Sequence, residues 1–306
     1  MPRTWSHFSV LLAACLVFLI APPSSAQTTL RWKFQAGQVL NQKFEQDMKI
    51  AMTIGTQNVD THMKQTFDGV WRIGAVDNQG VAEVVQEFTR VRMDMKAPGG
   101  VGFVFDSDKD EPPTGIGTML APALKAMAKA KFTMKMTPQG EVQEVQVSQE
   151  TVDALKSMPG ASQLGGAFTK EGLINMVKQG STRFPTEPVQ KGASWTNTLE
   201  TVLPQLGKLE ALSNLVYAGS ENVEGKPLER INVDLTTKIL PQVGALAQVS
   251  IKDQKAQGAI YFDNVAGRIS HTAMLQHMTM AVAIGGNNVE QKIEQRISVR
   301  ITPAAN

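Results

Sequence analysis

The amino-acid sequence predicts a mainly β (α+β) protein, with long antiparallel strands forming one or more curved sheets or a half-barrel and a few short helices. Three observations carry this reading. Apolar residues recur at every second position over most of the chain, clusters of Gly, Pro, Asn and Asp separate these stretches, and only three short segments switch to helical spacing. Side chains alternate across an extended strand, so such alternation marks a sheet with one dry and one wet face.

The first strand is expected over 38–54, with Leu40, Phe44, Met48, Ile50, Met52 and Ile54 on one face and Asn41, Lys43, Glu45, Asp47, Lys49 and Thr53 on the other. The second repeats the pattern, with Val59, Met63, Phe67, Trp71 and Ile73 opposed by Asp60, His62, Lys64, Asp68 and Arg72. A turn at Asp77-Asn78-Gln79-Gly80 leads to a third over 81–96 that aligns Val81, Val85, Val91, Met93 and Met95, which is the spacing of an antiparallel meander. A short strand ends at Phe105. The period then changes over 115–129, where Ile116, Met119, Leu120, Ala123, Leu124 and Met127 share a helical face. Pro122 lies inside that segment and predicts a late start or a kink.

A strand pair over 132–137 and 141–147 is joined by Pro138-Gln139-Gly140. Ser148 is the expected N-cap of a short helix that stops before Met158-Pro159-Gly160, and a further helix is expected over 169–179, ending at Gly180. Strands return at 194–203, 209–218, 228–239, 256–263, 268–283 and 289–301. The last aligns Val289, Ile293, Ile297, Val299 and Ile301 against charged residues. The halves echo one another: hairpins around Gly140 and Gly267 sit in comparable places, which suggests a pseudo-duplicated pair or simply generic hairpins. The expected organisation is a leader over 1–26, a β-rich half with a helix over 27–160, a helical connector over 161–190 and a second β-rich half over 191–306.

The leader has Arg3, an apolar run from Ser9 to Ala21 and a small-residue site at Ser24-Ser25-Ala26. This is the pattern of a secretory signal peptide, and its run of roughly thirteen residues falls short of the ~20 needed to span a bilayer. The protein is therefore expected to be exported, periplasmic or secreted. Leu12-Ala13-Ala14-Cys15 offers a second reading, a lipoprotein acylated at Cys15, although apolar residues follow where a polar tether would be expected. Cys15 is the single cysteine, so cleavage after Ala26 leaves no thiol for disulfides, thiolate catalysis or cysteine-bound metal. It also leaves 29 basic against 28 acidic residues, which gives no field to attract nucleic acid. Scarce aromatics and a polar end argue against an integral membrane barrel.

No catalytic constellation is legible: there is no HExxH helix, phosphate-binding glycine loop or nucleophile elbow, so no enzyme and no cofactor are expected. His271 and His277 share a strand face but lie roughly 20 Å apart at about 3.3 Å per residue, too far for one metal. Asp106, Asp108 and Asp110 alternate as calcium-loop carboxylates do, but Glu111 and Gly117 stand where that loop needs Gly and Glu. They form a weak metal candidate beside the reading of a solvated acidic loop.

Methionine is the oddity: 15 in all, many of them on the apolar strand faces. It is unbranched and polarisable, and it suits surfaces that adapt to irregular apolar shapes. Met48, Met52, Met63, Phe67, Met93, Met95, Met134 and Met136 are the candidate lining of a groove for a lipid or other apolar ligand. The competing readings are an ordinary methionine-filled core and a structural or protein-interaction module of the cell envelope with no small ligand.

Phe105-Asp106-Ser107-Asp108, Met136-Thr137-Pro138-Gln139-Gly140-Glu141-Val142, and Phe184-Pro185 followed by Gly192-Ala193-Ser194-Trp195 together resemble an uncharacterised family of exported bacterial β-rich proteins, a domain of unknown function. The resemblance implies no activity. The architecture is also remotely similar to lipoprotein-carrier folds, which implies a half-barrel that cups acyl chains.

Overall fold

The computed structural model describes residues 27–55, 57–100, 102–156, 169–179, 181–203, 207–242, 247–284 and 287–304. The leader with Cys15, the Met158-Pro159-Gly160 helix stop and Gly180 lie outside these residues. Among the described residues the strands are β1 (Val39–Ile54), β2 (Gln57–Val76), β3 (Ala82–Lys96), β4 (Gly102–Asp106), β5 (Lys131–Met136), β6 (Val142–Val147), β7 (Ser194–Leu203), β8 (Gly207–Val223), β9 (Lys226–Leu240), β10 (Ala247–Asp263), β11 (Arg268–Ile284) and β12 (Asn287–Pro303). The helices are α1 (Gly117–Met127), α2 (Gln149–Lys156) and α3 (Lys170–Gln179).

All twelve strands form one antiparallel sheet in the order β6-β5-β3-β2-β1-β12-β11-β10-β9-β8-β7, with β4 paired to β3. The seam is the pairing of β1 with β12, from Leu40 opposite Pro303 to Ile54 opposite Val289, which fuses the two β-rich halves into one sheet. Edge strands β6 and β7 are not hydrogen-bonded to each other. A flat sheet would hold them about 48 Å apart at ~4.8 Å per strand. The ten-residue α3, only about 15 Å long, nevertheless contacts both. The sheet therefore curls until one helix spans the gap between its edges, and it stays open.

The register puts most of the predicted apolar residues on the concave face. Met48, Met63 and Met95 form one row across β1, β2 and β3. Val84 pairs with Met134 and Ala82 with Met136. The main core joins Trp71, Val84 and Phe132 from one flank to Leu215, Ile231 and Phe262 from the other, all nearly water-free. Burying a phenylalanine such as Phe262 contributes about 1.5–3 kcal/mol.

A strap that alternation was too short to flag runs across one end of the curl. Leu30 and Trp32 are buried. Trp32 N–H donates to Pro138 at 2.8 Å and Lys33 N–H to Gly267 at 2.9 Å, tying the two echoing hairpins to one segment. Both glycines have positive φ (87° at Gly140, 62° at Gly267), and an added Cβ would collide with Thr182 at the first and Lys33 at the second. The Trp32 ring stacks on Phe34 and Trp71, with centroids 5.5 and 5.8 Å away, and meets Phe262 edge-on at 6.2 Å.

Four local expectations change. In β3 a bulge between Phe88 and Arg90 shifts the parity, so Ala82, Val84 and Phe88, not Val81 and Val85, share the inward face with Val91, Met93 and Met95. β10 begins at Ala247, not at 256, because a bulge between Ile251 and Asp253 inverts the inward parity: Ile251 faces Met280 and Gln254 faces Met278. β8 runs on to Val223 through a bulge between Tyr217 and Gly219 and closes at Glu224-Gly225, both with positive φ, which suits a tight hairpin. α1 does not start late at Pro122; it begins at Gly117, led in by short-range bonds from Gly117 to Thr114 and Thr118 to Gly115. Ser148 and Thr169 cap α2 and α3, their hydroxyls accepting from Thr151 N–H and Gly172 N–H.

Candidate functional site

Between the concave face and α3 lies a cavity of about 430 Å³. Its apolar wall comes from Phe44, Phe67, Phe88, Phe132, Met134 and Met136, joined by Val299 across the seam. Trp71 closes it toward the strap, while Met127, Val142, Val177 and Ser181 complete the side facing the helices. Its rings follow one another: Phe44 to Phe67 at 5.7 Å, Phe67 to Phe88 at 5.7 Å, and Phe88 to Phe132 edge-on at 6.1 Å. Aromatic rings bring large apolar area with little rotamer freedom, so the wall is stiff.

Of the residues the sequence singles out, Phe67, Met134 and Met136 line this cavity. Met93 and Met95 pack instead against a second core of Val91, Phe103, Phe105, Ala121 and Leu124 under α1. Met48, Met52 and Met63 continue the same face farther along the strands, half-buried.

Sequence reasoning missed a set of glutamines. Gln42 Oε1 accepts from Trp71 Nε1 at 3.0 Å and from Gln86 Nε2 at 2.9 Å. Gln65 donates to Gln46, Gln46 to Gln295 and Gln295 to Gln276, a chain of side-chain amides crossing β2, β1, β12 and β11. The signal was present: Gln42 and Gln46 share parity with Leu40, Phe44 and Met48, and Gln295 fills the gap between Ile293 and Ile297.

The acidic loop is built differently. Arg90 grips Asp106 through Nε at 2.8 Å and a terminal nitrogen at 2.5 Å, and also approaches Asp108 at 3.3 Å. No group of three metal-ligating side chains forms among the described residues, so Asp106, Asp108 and Asp110 are not gathered into one. The hydrogen bonds from Arg90 hold the Asp106 carboxyl at about 2, below its ordinary 3.8. A depressed carboxyl stabilises the fold above its unfolded value and loses that contribution as pH falls through the folded one. Urea midpoints are therefore expected to fall between pH 4 and pH 2, with Asp106→Asn less stable than the parent at pH 7 and its deficit shrinking toward pH 2. Equal midpoints at pH 7 would contradict the pairing.

His271 sits on the outer face, stacked on Tyr261 at 4.4 Å. Burial and then the Arg300 charge lower its pKa. His277 faces Glu294 at 3.8 Å. No described helix is long and apolar enough to cross a membrane.

Fold and cavity together define a class: an open, curled antiparallel sheet whose dry side encloses an apolar chamber. Residues 79–224 match the model of DUF6263, a family of unknown function, and the three stretches that carry the resemblance to an uncharacterised family lie within that segment. Similar solved structures include a lipovitellin studied for its lipid–protein interactions, at 11% identity and TM-score 0.45, covering 89% of this chain and 26% of that one. The hypothetical lipoprotein YmcC from Escherichia coli K12 is similar at 9% identity and TM-score 0.21, covering 80% and 85%. A β-barrel-like DUF1849 protein from Brucella abortus is similar at 9% identity and TM-score 0.20, covering 88% and 100%. The chain spans about a quarter of the lipovitellin chain. No curated protein matches it.

Proposed function

We propose that this is an exported binding protein, not an enzyme, that holds a lipid or another apolar small molecule in the chamber of the curled sheet. The observation that carries this is the cavity of about 430 Å³ walled by Phe44, Phe67, Phe88, Phe132, Met134 and Met136. Its volume falls in the ~300–1,000 Å³ range of small-molecule sites, which are mostly apolar with a few placed polar groups. Methionine supports the reading because its flexible thioether adapts to irregular chains. Each methylene transferred from water into such a site contributes about 0.8 kcal/mol.

The test is native mass spectrometry of protein purified from its source without detergent, paired with solvent extraction. A co-purifying apolar adduct, lost in Val299→Trp, is the expected result, since tryptophan at Val299 projects into the chamber. An adduct-free parent that also takes up no neutral fluorescent apolar probe would overturn the proposal. Circular dichroism of the variant separates a filled chamber from a failed fold.

A further inference from the structure

Resting on that reading, we infer that the chamber selects amphiphiles with an uncharged polar linkage, an ester or amide of a fatty acid, over the ionised acid itself. The argument starts from the wall. Its polar residues are Gln42, Gln65, Gln86 and Ser181, all neutral. Charged side chains along the flanking strands take the opposite parity: Lys43 stands between Gln42 and Phe44, Lys64 beside Gln65, and Arg300 beside Val299. An ionised carboxylate entering the chamber would shed its water and meet no cation, which disfavours a buried charge strongly.

A neutral carbonyl meets better partners. Gln42 Oε1 is occupied by Trp71 and Gln86, and this orients the Gln42 amide N–H groups as donors on the chamber wall. Among the described residues, those N–H groups and the carbonyl oxygens of Gln65 and Gln86 have no hydrogen-bond partner. An ester or amide C=O can accept from Gln42, and a ligand hydroxyl or N–H can donate to Gln65 or Gln86. The chain from Gln65 through Gln46 and Gln295 to Gln276 donates in one direction, so Gln65 is held in place by its neighbours rather than by the ligand. The row of rings from Phe44 to Phe132 then receives the hydrocarbon beside this polar strip.

The experiment is competition against N-phenyl-1-naphthylamine, an uncharged fluorescent probe, on the full processed chain at pH 8 and below micellar concentrations. The competitors are monododecanoyl glycerol and dodecanoate, which share one hydrocarbon chain and differ in charge. The ester is expected to displace the probe at tenfold or more lower concentration than the ionised acid. Gln42→Leu should erase most of that preference, read as the ratio of ester to acid concentrations needed for half displacement of whatever probe the variant binds. Because Gln42→Leu also strips a partner from Trp71, Gln65→Met provides the same readout without touching that bond. Equal competition by ester and acid, or an undiminished preference in a folded Gln65→Met protein, overturns the inference while the chamber reading stands. A probe that does not bind the parent protein overturns both.

Discussion

Replacing Trp32 with alanine is expected to remove about 3–5 kcal/mol of stability, the range for truncating a buried aromatic. Trp32 is 4% exposed and touches Phe34, Trp71 and Phe262 at once, so its ring joins the strap to strands on both sides of the seam. The neighbouring strap contacts are backbone hydrogen bonds to Pro138 and Gly267, which alanine leaves in place but does not fill around. Urea denaturation at neutral pH checks this: a midpoint close to that of the parent would mean the strap is not part of the cooperative core. The same variant should loosen the closed end of the chamber and raise hydrogen exchange in the hairpins around Gly140 and Gly267.

A proline at the seam is expected to do as much damage by another route. Ile297 lies mid-strand in β12, between Gln46 of β1 and Met274 of β11, so Ile297→Pro removes a ladder donor and fixes φ where both neighbours need an extended chain. Interior prolines cost about 3 kcal/mol or more. Because β1–β12 is the pairing that unites the halves, the variant should lose the fold as a whole rather than one flank. The check is whether near-ultraviolet circular dichroism and tryptophan fluorescence collapse together. Retention of a native-like signal from Trp195 on β7 while Trp71 becomes exposed would mean that the flanks fold independently.

Alternation was enough to read most strands, because a half-buried strand turns every second residue inward, and β1 and β12 keep one inward parity from end to end. It failed where the backbone breaks its own period. The bulge after Ile251 moves the inward side chains from odd to even positions, so the first half of β10 has no uniform pattern. The chamber was half legible. Phe67, Met134 and Met136 were identifiable as apolar-face residues, but nothing in the chain separates them from Met93 and Met95, which a helix and a short strand cover. The glutamines were overlooked because an amide at an apolar position looks like a lapse in pattern until its partners on other strands are known.

What the sequence by itself determined is a dry sheet face, rich in methionine, and a charged face opposite, since that follows from the two-residue repeat of an extended backbone. Only tertiary structure decided that the first strand pairs with the last, that the edges curl to a single helix, and that a chamber remains inside. Those outcomes depend on contacts between residues hundreds of positions apart, such as Phe44 with Val299, and local periodicity contains no information about which distant strand will become a neighbour.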